Sequence, residues 1–131
     1  MITVSTLIFD EGLSKFTQAF QLCVCQGEPL TASDVNNTLS NGGKRVTPFK
    51  SFNAGEIAIS DGFEPASRAI TIPNSLFDSS VLENVSLASA DLYVACIAGA
   101  DILLKSDQVQ SQQLVVGATL QVDAFEYGIK Q

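Results

Sequence analysis

Three cysteines, fourteen acids and a glycine pair in front of a lysine are the residues of this 131-residue chain with chemistry to offer, and there is no histidine among them. Cys23 and Cys25 stand two apart in QLCVCQGEP. A zinc site takes about four Cys or His ligands, and only Cys96 remains to join the pair. Redox dithiols use a C-x-x-C spacing at a helix N-terminus, which this spacing does not supply. In an extended strand alternate residues share a face, so Cys23 and Cys25 point one way and Leu22 and Val24 the other. Free cysteine packs as a small apolar residue. The expectation is a packed pair of thiols, with Cys96, in Asp91–Ile97, facing them across a sheet.

The acids are weighed next. Two carboxylates roughly 5–10 Å apart suffice for glycoside hydrolysis, and Asp61 with Glu64, or Asp123 with Glu126, are the pairs close in sequence. Sugar sites also use aromatic platforms; the chain has no Trp, and most of its eight Phe fall in core-like patterns. A calcium loop crowds more oxygens together than the two acids of Ser60–Glu64 (SDGFE). Asn41-Gly42-Gly43-Lys44 lacks the G-x-x-x-x-G-K-[ST] frame of a phosphate cradle and reads as a turn. Nucleophilic catalysis wants an imidazole or another positioned base, and nothing positions one. The chain is expected not to be an enzyme, with no catalytic residue, cofactor or metal ligand assigned.

Charge narrows the partners. The net charge is −7 and the pI near 4.2, whereas nucleic-acid binding needs clustered Lys and Arg. Lys44-Arg45 is the only adjacent basic pair. No segment reads as a signal peptide or approaches 18 uninterrupted apolar residues. The expectations are no nucleic acid, no membrane, and synthesis in a reducing cytoplasm.

The elements that would hold these residues read as mostly short strands. Met1–Phe9 (MITVSTLIF) is β-branched, either an arm or an edge strand, ahead of a single β-rich domain at 10–131. Asp10 is a helix cap, with Leu13, Phe16 and Phe20 at helical spacing behind it. Gln21–Gln26 is a strand, and Thr31–Ser40 holds one helical turn capped by Ser33 or Thr31. Lys44–Phe52 is extended and interrupted at Pro48. Glu56–Ser60 and Arg68–Ile72 are strands, and Asp91–Ile97 and Ile102–Lys105 form a hairpin over Ala98–Asp101. Leu114–Ile129 carries a long strand signal around Gly117; within it, in Thr119–Phe125, Leu120, Val122 and Ala124 share one face, and Thr119, Gln121, Asp123 and Phe125 the other. The fold class expected is mainly β: an antiparallel β-sandwich or small barrel with one N-terminal amphipathic helix.

The order of LCVCQGEP, NGGKRVTPF, AITIP, LYVACIAGADILL and ATLQVDAFEYGI, spanning about Asp10 to Ile129, resembles a group of small virion structural proteins of tailed bacteriophages. What the resemblance implies is a capsid decoration (cement) protein on the virion surface that binds the phage major capsid protein; alternatives are a tail, neck or fibre component. It brings no catalytic residues. A reading from another class is a small acidic hydrolase or carbohydrate-binding module using the acidic loops. On the shell reading, matching one copy to each shell subunit suggests a homo-oligomer, a trimer at local three-fold positions. Candidate partner contacts are Ile2, Val4, Leu7 and Phe9 of the arm, and Phe52, Phe63 and Phe77, which serve either as interface anchors or as buried loop plugs.

Overall fold

The computed structural model describes residues 2–4, 12–61, 67–86, 91–106 and 113–130; Leu7, Phe9, Asp10, Phe63 and Glu64 lie outside them. The larger sheet has five antiparallel strands in the order β1 (Ile2–Val4), β8 (Asp101–Ser106), β7 (Leu92–Ala98), β2 (Phe20–Gln26), β3 (Lys50–Phe52). A three-stranded sheet sets β5 (Ser67–Ile72) between β10 (Phe125–Lys130) and β4 (Ser60–Asp61), and β6 (Ser75–Phe77) pairs with β9 (Leu120–Val122). The sheets are antiparallel and none closes into a barrel, which sets the small-barrel alternative aside.

The centre of the larger sheet is buried on both faces. Leu22 and Val24 of β2, Val94 and Cys96 of β7 and Leu104 of β8 join the main core, together with Ile70, Ile72, Phe77, Leu120 and Val122 from the other strands. Cys23, Cys25, Ala95 and Ile97 form a second buried cluster with Val35 on the opposite face. The expected placement of Cys96 is therefore corrected. It stands directly opposite Leu22 in the ladder, while Cys23 stands opposite Ala95, and opposed residues share a face. On β8 the register shifts at Cys96/Ile97, so that Cys96 faces Leu104 and Ile97 faces Ile102. The extra residue, Leu103, joins Leu104 in the main core; a bulge lets two consecutive side chains serve one face.

A short strap covers the second face. Helix α1 (Ala32–Asn36) opens with a capping box: the Asp34 N–H donates to Thr31 Oγ1, and the Thr31 N–H donates to Asp34 Oδ2. Such a box satisfies two of the donors a helix start leaves bare. Arg45 then ties the strap down. Its guanidinium donates to the carbonyls of Val35 (2.9 Å), Thr47 (2.7 Å) and Asn36 (3.3 Å), and lies 4.3 Å from the centre of the Phe49 ring. The strap also extends the edge of β2. Val46 N–H donates to the Val24 carbonyl, Gln26 N–H to that of Lys44, and Val24 N–H to Thr47 Oγ1 at 3.0 Å. Pro48 follows where a ladder donor is missing. Gly43 sits so close to the backbone of Asn37 that an added Cβ would fall 2.0 Å from its carbonyl oxygen, which explains the glycine there better than a flexible turn does.

The C-terminal strands hold a second surprise for a reader of the sequence. Residues 67–77 and 120–130 run antiparallel in one continuous register, with Ile72 opposite Phe125 and Ser75 opposite Val122. Pro73-Asn74 and Asp123-Ala124 face each other at the break, where Asn74 Oδ1 accepts the Ala124 N–H at 2.6 Å. Crossing the break shifts the alternation by one on both strands. Leu120 and Val122 are buried before it and Phe125 after it, whereas Ala124 is exposed. The expected single alternation through Thr119–Phe125 is thus corrected: two phases meet at a paired kink, and both feed the same core.

Three further expectations change. The N-terminal amphipathic helix is not shown; the described part is a 3-10 helix, Gly12–Thr17, and Phe20 already belongs to β2. Phe16 meets Phe20 edge-on at 5.3 Å and Phe20 stacks on Phe52 at 4.9 Å, so the helical spacing marks an aromatic cluster joining a turn to two strands. Glu56–Ser60 is not a strand. Its start is a turn in which Glu56 N–H donates to the Asn53 carbonyl and Glu56 Oε1 accepts the Asn53 N–H, leaving Ser60–Asp61 as a two-residue strand. Phe52 and Phe77 are each 3% exposed and lie in strands β3 and β6 rather than in loops. Gly43→Ala is expected to cost about 3 kcal/mol, the upper range for forcing atoms into a packed site, and Arg45→Lys about 2 kcal/mol, since an ammonium cannot span three carbonyls and a ring. Urea unfolding midpoints check both.

Candidate functional site

The residues that drew attention as chemistry are spent on structure. Cys23, Cys25 and Cys96 are free thiols and fully buried. Cys23 is pushed well up by its hydrogen bond with Cys25 and then by burial, and burial pushes Cys96 from 9.0 up to about 12. A nucleophilic cysteine needs the reverse, a lowered value and access. The basic side chains follow the same course. Lys44 Nζ donates to the Glu28 carbonyl at 2.8 Å and pairs with Asp34 at 3.8 Å. Lys105 Nζ donates to the Pro29 carbonyl at 3.1 Å and pairs with Glu28 at 3.2 Å. Together they pin the loop from β2 into α1, and the lysine of the Gly-Gly-Lys motif is a strut. The backbone N–H of Leu30, donating to Asp34, is the chief cause that holds that carboxyl below its ordinary range.

Asp61 pairs with Arg68 along the β4–β5 ladder, and Glu64 lies outside the described residues. Asp123 Oδ1 accepts from Gln121 Nε2 at 3.0 Å, and Asp123 and Glu126 are exposed. Among the described residues no three Cys, Asp or Glu side chains come together as metal ligands. Ile2 and Val4 sit in β1, opposite Ser106 and Leu104 of β8.

What the sequence reading missed is an apolar tip. Residues 78–86 continue antiparallel to 113–118: Val81 N–H donates to the Ala118 carbonyl, Gly117 N–H to that of Val81, and Val85 and Leu114 exchange both bonds at 2.9 Å. The strands meet a tight turn, Val115–Ala118, closed by the Ala118 N–H on the Val115 carbonyl, with Gly117 at φ 85°. A positive φ at the third position is what a type II turn requires. Asn84 Oδ1 accepts the Val116 N–H at 2.9 Å, so the turn is held from a second side. On this fixed backbone Val115 is 52% exposed and Val116 61%, and Leu82, bonded through its own N–H to the Val46 carbonyl, is 39% exposed. The signal in the sequence is Val-Val directly before a glycine, where a turn would ordinarily carry polar residues. A separate hollow of about 330 Å³ opens at the end of β2 and β3, lined by Gln21, Ser51, Phe52, Asn53 and Ile97.

Comparison with protein-family models, with curated proteins and with solved structures returns no match. The thiols give a direct pH test. Between about pH 9 and 12 the unfolded chain releases the Cys96 proton that the folded chain retains, so stability present below pH 9 is lost as pH rises. Cys96→Ala is expected to cost about 1–2 kcal/mol near neutrality through lost packing. The gap between parent and variant in urea midpoint should narrow as pH climbs past about 9.

Proposed function

We propose that this chain is a structural protein of a tailed-phage particle: a capsid decoration protein that binds the major capsid protein on the virion surface and reinforces the head. The observation that carries the reading is the rigid apolar tip of Leu82, Val115 and Val116. Exposed apolar side chains on a backbone fixed by hydrogen bonds are already ordered for contact, so little entropy is lost when a partner covers them. Support also comes from where the resembling segments fall. LYVACIAGADILL forms the β7–β8 hairpin at the middle of the larger sheet, ATLQVDAFEYGI runs through β9 and β10, and NGGKRV is the strap. The two strand systems around one core are read as an open sandwich.

Function on this reading is surface shape, multiplied by symmetry. A weak contact per copy becomes a strong one when it repeats over a closed shell. The acidic surface keeps the free protein soluble until it meets the shell.

Mass spectrometry of purified particles, with stoichiometry, tests the assignment. Hundreds of copies per particle are expected; a few to a few dozen would favour the tail reading, and none at all would overturn both. A V115D/V116D double variant should lower particle occupancy by tenfold or more while leaving the unfolding free energy from urea within about 0.5 kcal/mol of the parent, since both positions are exposed.

A further inference from the structure

Edges are kept short in this fold. β1, β3, β6 and β9 have three residues each and β4 has two. Brevity of that kind keeps open edges from pairing with other chains. Among the described residues β10 is the exception, with six residues, Phe125–Lys130, at the outside of its sheet and paired with β5 along its full length. We propose that β10 is a self-association edge: two copies of this chain join antiparallel through it, about a two-fold axis at Gly128. This inference stands independently of the particle reading.

The register follows from strand geometry. In an antiparallel ladder, directly opposed residues turn their N–H and C=O toward each other, and this orientation alternates along the strand. A strand pairing with its own copy about a two-fold therefore puts one residue on the axis. An axis at Glu126 sets two like charges against each other, which is destabilising. An axis at Tyr127 or Ile129 sets a bulky residue against itself and leaves acid and base unmatched. An axis at Gly128 does neither. It places position 126, acidic, opposite position 130 of the copy, basic, and does so twice. It also sets position 127 opposite position 129, an aromatic with a β-branched residue, again twice.

The two faces of β10 agree with that arrangement. Glu126 is exposed, whereas Phe125 and Tyr127 pack on the main core. By strand alternation positions 126, 128 and 130 share one face of a joined six-stranded sheet, so both 126–130 pairs fall on the same face and both 127–129 pairs on the other. Charge complementarity selects the occupant. At a net charge of −7 two copies repel in general, and this register sets opposite charges together at the place where they touch.

Sedimentation velocity of the full chain over a range of concentrations tests the proposal, with E126K, K130E and the double variant E126K/K130E. A dimer is expected for the parent. Each single reversal sets like charges in both pairs and should raise the dissociation constant about tenfold, and the double reversal should bring it back to within about twofold. A monomer at every concentration, a trimer, single variants with no effect, or a folded double variant without recovery would each overturn it. If the double variant does not fold by circular dichroism, hydrogen exchange on the parent decides. Protection of amides in 125–130 that rises with concentration supports the dimer, and protection independent of concentration overturns it.

Discussion

Burial of β2 and β7 on both faces is the constraint from which the rest of the structure follows. An antiparallel sheet can leave one face to water and alternate apolar with polar along each strand. Here Leu22, Cys23, Val24 and Cys25 are all fully buried, as are Val94, Ala95 and Cys96 beside them. Each face needs its own cover. One is supplied by the C-terminal strands and their large side chains. The other is supplied by α1 and the strap, over cysteines and an alanine small enough to let the helix approach. The strap has little apolar surface for this face: Val35 of α1 is fully buried there, while Val46 is buried in the main core instead. Arg45 and the two lysines do by hydrogen bonding what a larger helix would do by area. Polar residues are thus consumed in holding a small lid onto a sheet.

The same economy shapes the other side. The strands of the C-terminal half carry their apolar residues in two phases, joined at a kink where Pro73-Asn74 meets Asp123-Ala124. Because the phase changes on both strands together, the register survives, and Ile70, Ile72 and Phe125 on one side of the kink share a core with Phe77, Leu120 and Val122 on the other. The bulge at Leu103 on β8 solves a related problem by giving one face two consecutive leucines. What remains at the surface is a chain whose cations are largely engaged and whose thiols are sealed. Its exposed apolar residues include a hydrogen-bonded turn.

Much of this was legible in the sequence, and the failures have physical reasons. The β7–β8 hairpin, β5 and the capped turn at Thr31 follow from local rules, namely alternation, a glycine at the turn and a capping box. The facing of Cys23 and Cys25 also followed from a period of two. Cys96 was misplaced because its face depends on the register between strands far apart in sequence, which no local period encodes. The paired kink was missed because it is a property of two strands at once; either strand alone reads as ordinary alternation. Phe16 and Phe20 imitated helical spacing because a turn followed by a strand can return side chains to one cluster. The apolar tip went unseen because Val115 and Val116 read as a strand until Gly117 is known to turn the chain.

The doubly covered β2–β7 pair is the rigid unit of the fold. Native-state hydrogen exchange tests this most directly. The amides of Leu22–Cys25 and Val94–Cys96 are expected to exchange only through global unfolding, with an opening free energy equal to that from urea denaturation and well above that of residues 53–59. Exchange of the β2 and β7 amides through small openings, at rates matching those of 53–59 while the chain stays folded, would contradict it.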